Sequence, residues 1–288
     1  MRLALGTVQF GLPYGIANQT GQVSREEAAA MLRLARQSGI DTLDTAIAYG
    51  ESESCLGQTG TDGFHVVTKL PALPADCSDV RAWVRSQLDA SMSRLGVTSV
   101  YGLLLHRSDQ LLSSQGRTLY DVMQELKADG LVHKIGVSIY SPRELDSLAA
   151  GFVFDLVQAP FNLIDRRLHV SGWLRRLKDS GAEIHTRSAF LQGLLLMPEG
   201  VRPLKFSPWS TLWQRWERWL AGSGVSPLQA CLAFALSFPE IDRVVVGADR
   251  SQHLQEIIDA SGCGELSGLP DLGCADERLV NPSKWVDL

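Results

Sequence analysis

The chain has 288 residues, 45% of them hydrophobic, and 27 Lys and Arg against 32 Asp and Glu give a net charge of -5. That is ample material for a large core, while so mild a charge with no Lys/Arg block argues against a nucleic-acid partner. No run approaches a membrane span and residues 1–6 are too poor in apolar groups for a secretion signal. The five cysteines, Cys55, Cys77, Cys231, Cys263 and Cys274, include no Cys-x-x-Cys pair. They read as reduced thiols of a cytoplasmic protein without a metal site.

In chain order, residues 3–7 read as a first strand, reached almost at once. Ser24-Arg25-Glu26-Glu27 is a capping box, and Met31, Leu32, Leu34 and Ala35 give the helix behind it an apolar face. A short strand with Ile40 and Leu43 ends on Asp44, and the β-branched run 65–69 ends on Lys69. Val80, Val84, Leu88, Met92 and Leu95 mark a helix over 79–95, followed by an apolar strand closing on His106. Leu119, Val122, Met123 and Leu126 mark the next helix, stopped by Gly130, and 134–138 is the fifth strand. Ser141-Pro142-Arg143-Glu144 opens a helix with Pro at its first position, 155–158 is a sixth strand, and a helix around 173–177 leads to a seventh at 183–188. Trp209, Trp213, Trp216 and Leu220 fall on one stripe of an inserted helix. Such a stripe reads either as core packing, the preferred reading, or as an aromatic lid over a substrate. Ser226-Pro227-Leu228-Gln229 starts another helix before the eighth strand at 243–247.

Eight strands alternating with helices, with no linker-like shift in composition, predict one α/β domain over 1–288: a (β/α)8 TIM barrel. A doubly wound sheet would need a Gly-x-Gly-x-x-Gly turn after an early strand or a phosphate loop, and neither occurs.

Three successive strands finish on ionisable side chains. If they lie parallel and adjacent, Asp44, Lys69 and His106 meet on one rim, with Tyr49 reaching back from its loop. A phenol is a poor proton donor near neutrality unless a cation stabilises its phenolate. Lys69 is the candidate for that cation, Asp44 for its anchor, and His106 for a hydrogen bond to the substrate oxygen. Singly, each reads as well as a turn former, a solvated charge or a satisfied polar group. Together they suit protonation of a carbonyl oxygen.

At these four positions, and in their contexts Asp-Thr-Ala before Tyr-Gly, Thr-Lys and Leu-His, the sequence resembles the aldo-keto reductase family. The resemblance implies a nicotinamide-dependent oxidoreductase acting on an aldehyde or ketone, with Asp44, Tyr49, Lys69 and His106 as its catalytic tetrad. It also implies that little chain remains ahead of the first strand for the hairpin that commonly covers the barrel floor, so something else must close it. The opening Leu5-Gly6-Thr7-Val8-Gln9-Phe10-Gly11, with Tyr14-Gly15-Ile16-Ala17-Asn18, looks like a bacterial subgroup often associated with surface-polysaccharide sugars.

By the same resemblance the cofactor contacts fall on Gly6, Thr7, Ser138, Gln158, Arg187, Ser188, Phe190, Gln192, Gly193, Gly247, Arg250, His253 and Glu256. Ser138 and Gln158 match positions that hold the nicotinamide carboxamide, and Arg187 stands where many relatives stack a tyrosine on the ring. The pyrophosphate belongs at the loops after strands seven and eight, against a helix amino terminus. His253 replaces an arginine that usually grips a 2′-phosphate and Ile257 an asparagine, while Asp249 stands beside Arg250. Asp249 and Ser251 also read as caps of the last helix. The resemblance favours NADP(H) over NAD(H). A second reading is a nicotinamide-binding regulatory protein with little turnover, and a third a barrel enzyme without redox chemistry.

Overall fold

In the computed structural model, which describes every residue except Glu265, Ser267 and Leu288, eight parallel strands close into a barrel in sequence order. They are β1 (Leu3–Gly6), β2 (Thr42–Asp44), β3 (His65–Leu70), β4 (Val100–Leu105), β5 (Val132–Ser138), β6 (Leu156–Pro160), β7 (Glu183–Arg187) and β8 (Arg243–Gly247). Around them lie α1 (Val8–Gly11), α2 (Arg25–Gln37), α3 (Ser52–Thr59), α4 (Val80–Leu95), α5 (Gly116–Ala128), α6 (Pro142–Leu148), α7 (Arg167–Val170) and α8 (Trp173–Asp179), then α9 (Ser210–Ser223), α10 (Pro227–Leu236), α11 (Ser251–Ala260) and α12 (Glu277–Val280). No single helix among the described residues is long and apolar enough to cross a membrane.

The strands are apolar on both faces because both are covered. Val67, Leu104 and Leu156 fill the barrel interior beside Tyr101, while the larger core lies between strands and helices. Pairing brings Gly6 level with Asp44 on one side and with Gly247 on the other, and sets Ser138 against Gln158. The carboxyl rim is thus built from the residues that sequence reasoning had singled out.

Strand ends differ from expectation by a residue or two. Thr7 has left β1 to start α1, and β6 continues past Gln158 to Pro160. The capping boxes at Ser141 and Ser226 are both complete. The one expected at Ser24 is only half made: Ser24 Oγ accepts from Glu27 N at 3.2 Å, but the Glu27 carboxylate has left its own helix and accepts from Ser251 N at the start of α11.

At the floor, no described strand precedes β1, and side chains from the strands' amino-terminal ends fill the place of a hairpin. Glu183 accepts from Tyr101 Oη at 2.7 Å, pairs with Lys134, and lies 2.7 Å from His185 Nε2. His65 stacks on Tyr101 with centroids 4.4 Å apart, and Arg243 reaches Asp41 at 3.1 Å. Burial acts against ionisation of Glu183, but the bonds from His185, Lys134 and Tyr101 win and hold its carboxyl far below the usual range.

The tryptophan stripe is core packing. Trp213 Nε1 donates to Phe206 O at 2.9 Å and Trp216 Nε1 to Leu195 O at 3.3 Å, both rings are buried, and none of the four stripe residues lines the cleft described below.

Candidate active site

A cleft of about 650 Å³ opens at the carboxyl rim and runs from the β1–β2 and β4 loops to the start of α11. Its catalytic end is shaped by two glycines. A Cβ on Gly11 would fall 1.8 Å from Tyr49 O, and one on Gly50, where φ is +54°, would fall 2.6 Å from Gly11 O. Only with both positions bare can the loop after β1 lie flat on the turn that carries Tyr49.

Tyr49 and His106 meet edge to face there, with ring centroids 5.7 Å apart. Beneath the phenol ring sits Lys69 Nζ, fully buried and 5.0 Å from the ring centroid. Its three N–H groups go to Asp44 Oδ1, Asp44 Oδ2 and Thr45 O, each at 2.8 Å. The four residues converge as expected, but their wiring differs in one respect. Lys69 has no donor left for the Tyr49 hydroxyl, because a buried ammonium must be matched by a carboxylate and Asp44 takes that role fully.

Burial is the largest influence on the titrating groups. It pushes the Tyr49 phenol well above its ordinary value, with Asp44 adding to the rise and Arg187 opposing it. It lowers Lys69, against the pull of Asp44. Burial, with the charges of Lys69 and Arg187, lowers His106 to about 4, so its imidazole is neutral at physiological pH.

Ser138 and Gln158 are spent inward. Gln158 Nε2 donates to Asp44 Oδ2 at 2.6 Å and Ser138 Oγ donates to Gln158 Oε1 at 3.2 Å, and neither residue lines the cleft. A buried carboxylate oxygen has room for a further donor beside Lys69, and Gln158 in β6 supplies it to Asp44 Oδ2. Of the other expected cofactor contacts, Gly6, Thr7, Arg187, Ser188, Phe190, Gln192, Gly193, Gly247, His253 and Glu256 line the cleft, and Arg250 does not. Nor do Asp249 and Ser251 cap α11 through their side chains.

Arg187 donates from Nη2 to Ile139 O at 3.0 Å and lies 4.6 Å over the Tyr140 ring. Among the described residues no carboxylate is within ion-pair distance of it. The loop that follows holds Ser188, Leu191 and Gln192 at positive φ, between +48° and +63°. Such backbone is costly for non-glycine residues and collects at functional sites. Asn162 Nδ2 pins it by donating to Ser188 O at 2.9 Å.

Sequence reasoning missed Tyr140 and Gln9. Tyr140 sits two residues past Ser138 in a strand-to-helix loop, the place where barrel sites are built. Gln9 Oε1 is buried in the cleft wall without a hydrogen-bond partner among the described residues, and its amide packs on Gly247 where a Cβ would stand 2.6 Å from Nε2. An orphan acceptor, a guanidinium over a tyrosine ring and further aromatic rings along the cleft fit a dinucleotide with hydroxyls to donate.

A model of the aldo/keto reductase family matches residues 2–267. The chain belongs to that family. Among its relatives are the oxidoreductase sirO of Leptosphaeria maculans, 26% identical with 94% of each chain covered, and the L-glyceraldehyde 3-phosphate reductase of Escherichia coli O157:H7, 25% identical over 86% of this chain and 83% of that one. The glycerol dehydrogenase structure from Gluconobacter oxydans shares the fold at a TM-score of 0.71, with 22% identity over 93% of this chain and 88% of that one. As an aldo/keto reductase the chain is an oxidoreductase of carbonyl substrates, and members of the family use nicotinamide cofactors.

Proposed function

We propose that the chain reduces an aldehyde or ketone to an alcohol with a nicotinamide dinucleotide in the cleft, Tyr49 delivering the proton. The observation that carries this reading is the meeting of Tyr49, His106 and the Lys69–Asp44 pair at one end of a cleft of about 650 Å³ whose other end reaches α11. When bound, the reduced nicotinamide supplies the hydride.

The chain's own residues do the rest. A phenol made less acidic by burial and by Asp44 stays protonated at neutral pH, so the donor is always loaded. It yields its proton only to an oxygen turning into an alkoxide, a base comparable to hydroxide. The phenolate left behind is met by Lys69 under its ring and by Arg187 in the cleft wall. Asp44, held by Lys69 and Gln158, fixes that ammonium. The neutral His106 imidazole hydrogen-bonds the carbonyl oxygen from a second side without competing as an acid. Arg187, placed over the Tyr140 ring, offers its planar guanidinium to the nicotinamide.

The test is direct. Tryptophan quenching on addition of NADH or NADPH is expected to saturate, and the loaded protein is expected to turn over part of an aldehyde and ketone panel. Saturable binding with no turnover on any member would favour a regulatory role instead.

A further inference from the structure

The displaced half of the Ser24 capping box points to a property of the cleft's far end. Glu27 would ordinarily fold back onto its own N-cap, yet its carboxylate accepts from Ser251 N, across the contact between α2 and α11. The bonds from Ser251 hold the Glu27 carboxyl below its usual value, so it is charged at neutral pH. The first amide of α11, where an anionic phosphate would seek its donors, therefore already carries an anion.

The surroundings add to this. Asp249 and Glu256 line the cleft here, and His253 is the basic residue among the lining at this end. Arg250 is exposed, lies outside the lining, and its charge faces Glu27 and Asp249. The charge of Arg250 is thus felt by Glu27 and Asp249, and that of His253 by Asp249. A 2′-phosphate entering would bring its charge against Asp249 and Glu256 in the lining and against Glu27, which lies outside the lining on the first amide of α11, whereas a 2′-hydroxyl is a donor that carboxylates and the orphan Gln9 Oε1 can accept.

We infer that this end of the cleft selects NAD(H) over NADP(H), with Glu27 as the specificity-determining residue that keeps the α11 amino terminus from a 2′-phosphate. The inference rests on the nicotinamide reading above and is opposite to the expectation drawn from the family resemblance.

Calorimetric titration of the whole chain with NADH and with NADPH tests it. The expected result is that NADH binds at least about tenfold tighter at low ionic strength, a gap that narrows as salt screens the carboxylates. Glu27→Gln keeps an acceptor for Ser251 but drops the charge, and is expected to raise NADPH affinity several-fold while NADH affinity stays within about twofold. The double variant Asp249→Asn, Glu256→Gln asks the same of the other two acids and is expected to move the NADH/NADPH ratio the same way. Because the readout is a ratio on one sample, partial misfolding lowers both affinities and leaves it intact. NADPH binding as tightly as NADH, or a ratio unmoved in both variants, overturns the inference alone. Binding of neither nucleotide overturns the nicotinamide reading and the inference with it.

Discussion

His106 shows how burial selects a role for a side chain. Removed from water and flanked by Lys69 and Arg187, its imidazole titrates at about 4 instead of near 6.5. The unfolded chain therefore binds more protons at this residue between those two values, and His106 makes stability fall as pH drops from about 6.5 toward 4. Chemical denaturation along that pH range is expected to give a shallower slope for His106→Gln than for the parent, and equal slopes would refute the assignment. The meeting of these four residues was legible from sequence because Asp44, Lys69 and His106 lie at or beside the ends of three neighbouring strands and Tyr49 on the loop after the first of them. What the sequence did not carry was the wiring. That Lys69 gives all three N–H groups to Asp44 and Thr45, and that Gln158 turns inward to Asp44, are consequences of satisfying a fully buried ion pair.

At the level of elements, loops rather than strands set the catalytic geometry. The strand-to-helix alternation and the helix starts at Ser141 and Ser226 follow from periodicity and capping chemistry, and the structure has both. The Gly11–Tyr49 contact joins two segments that no local rule connects. Gly11→Ala is expected to force the two loops apart, lowering stability by about 1–3 kcal/mol and carrying Tyr49 away from His106. Thermal denaturation and turnover measured on one preparation check both halves; a stable, fully active variant would show that the contact yields without consequence. The half-made box at Ser24 teaches a related lesson. Ser24 and Glu27 have the spacing of a reciprocal pair, but a neighbouring helix terminus competes for the same carboxylate, and sequence spacing cannot rank the two partners.

For the molecule as a whole, the barrel divides its work between two ends. The carboxyl rim holds the strained loop after β7 and the cleft, while the floor is locked by Glu183 with Tyr101, Lys134 and His185. Glu183→Gln is expected to lower stability by about 3 kcal/mol by leaving Lys134 underpaired, with KM unchanged well below the melting temperature. Since the Glu183 carboxyl titrates below its unfolded value, its stabilisation is present above pH 4.5 and is lost as pH falls below that. A change in KM in that variant would mean the two ends are coupled. The central claim, that the phenol of Tyr49 is the proton donor in carbonyl reduction, is tested most directly by Tyr49→Phe. Nucleotide affinity is expected to survive in that variant while kcat on a carbonyl substrate falls by about a hundredfold or more; retention of the parent's kcat would contradict it.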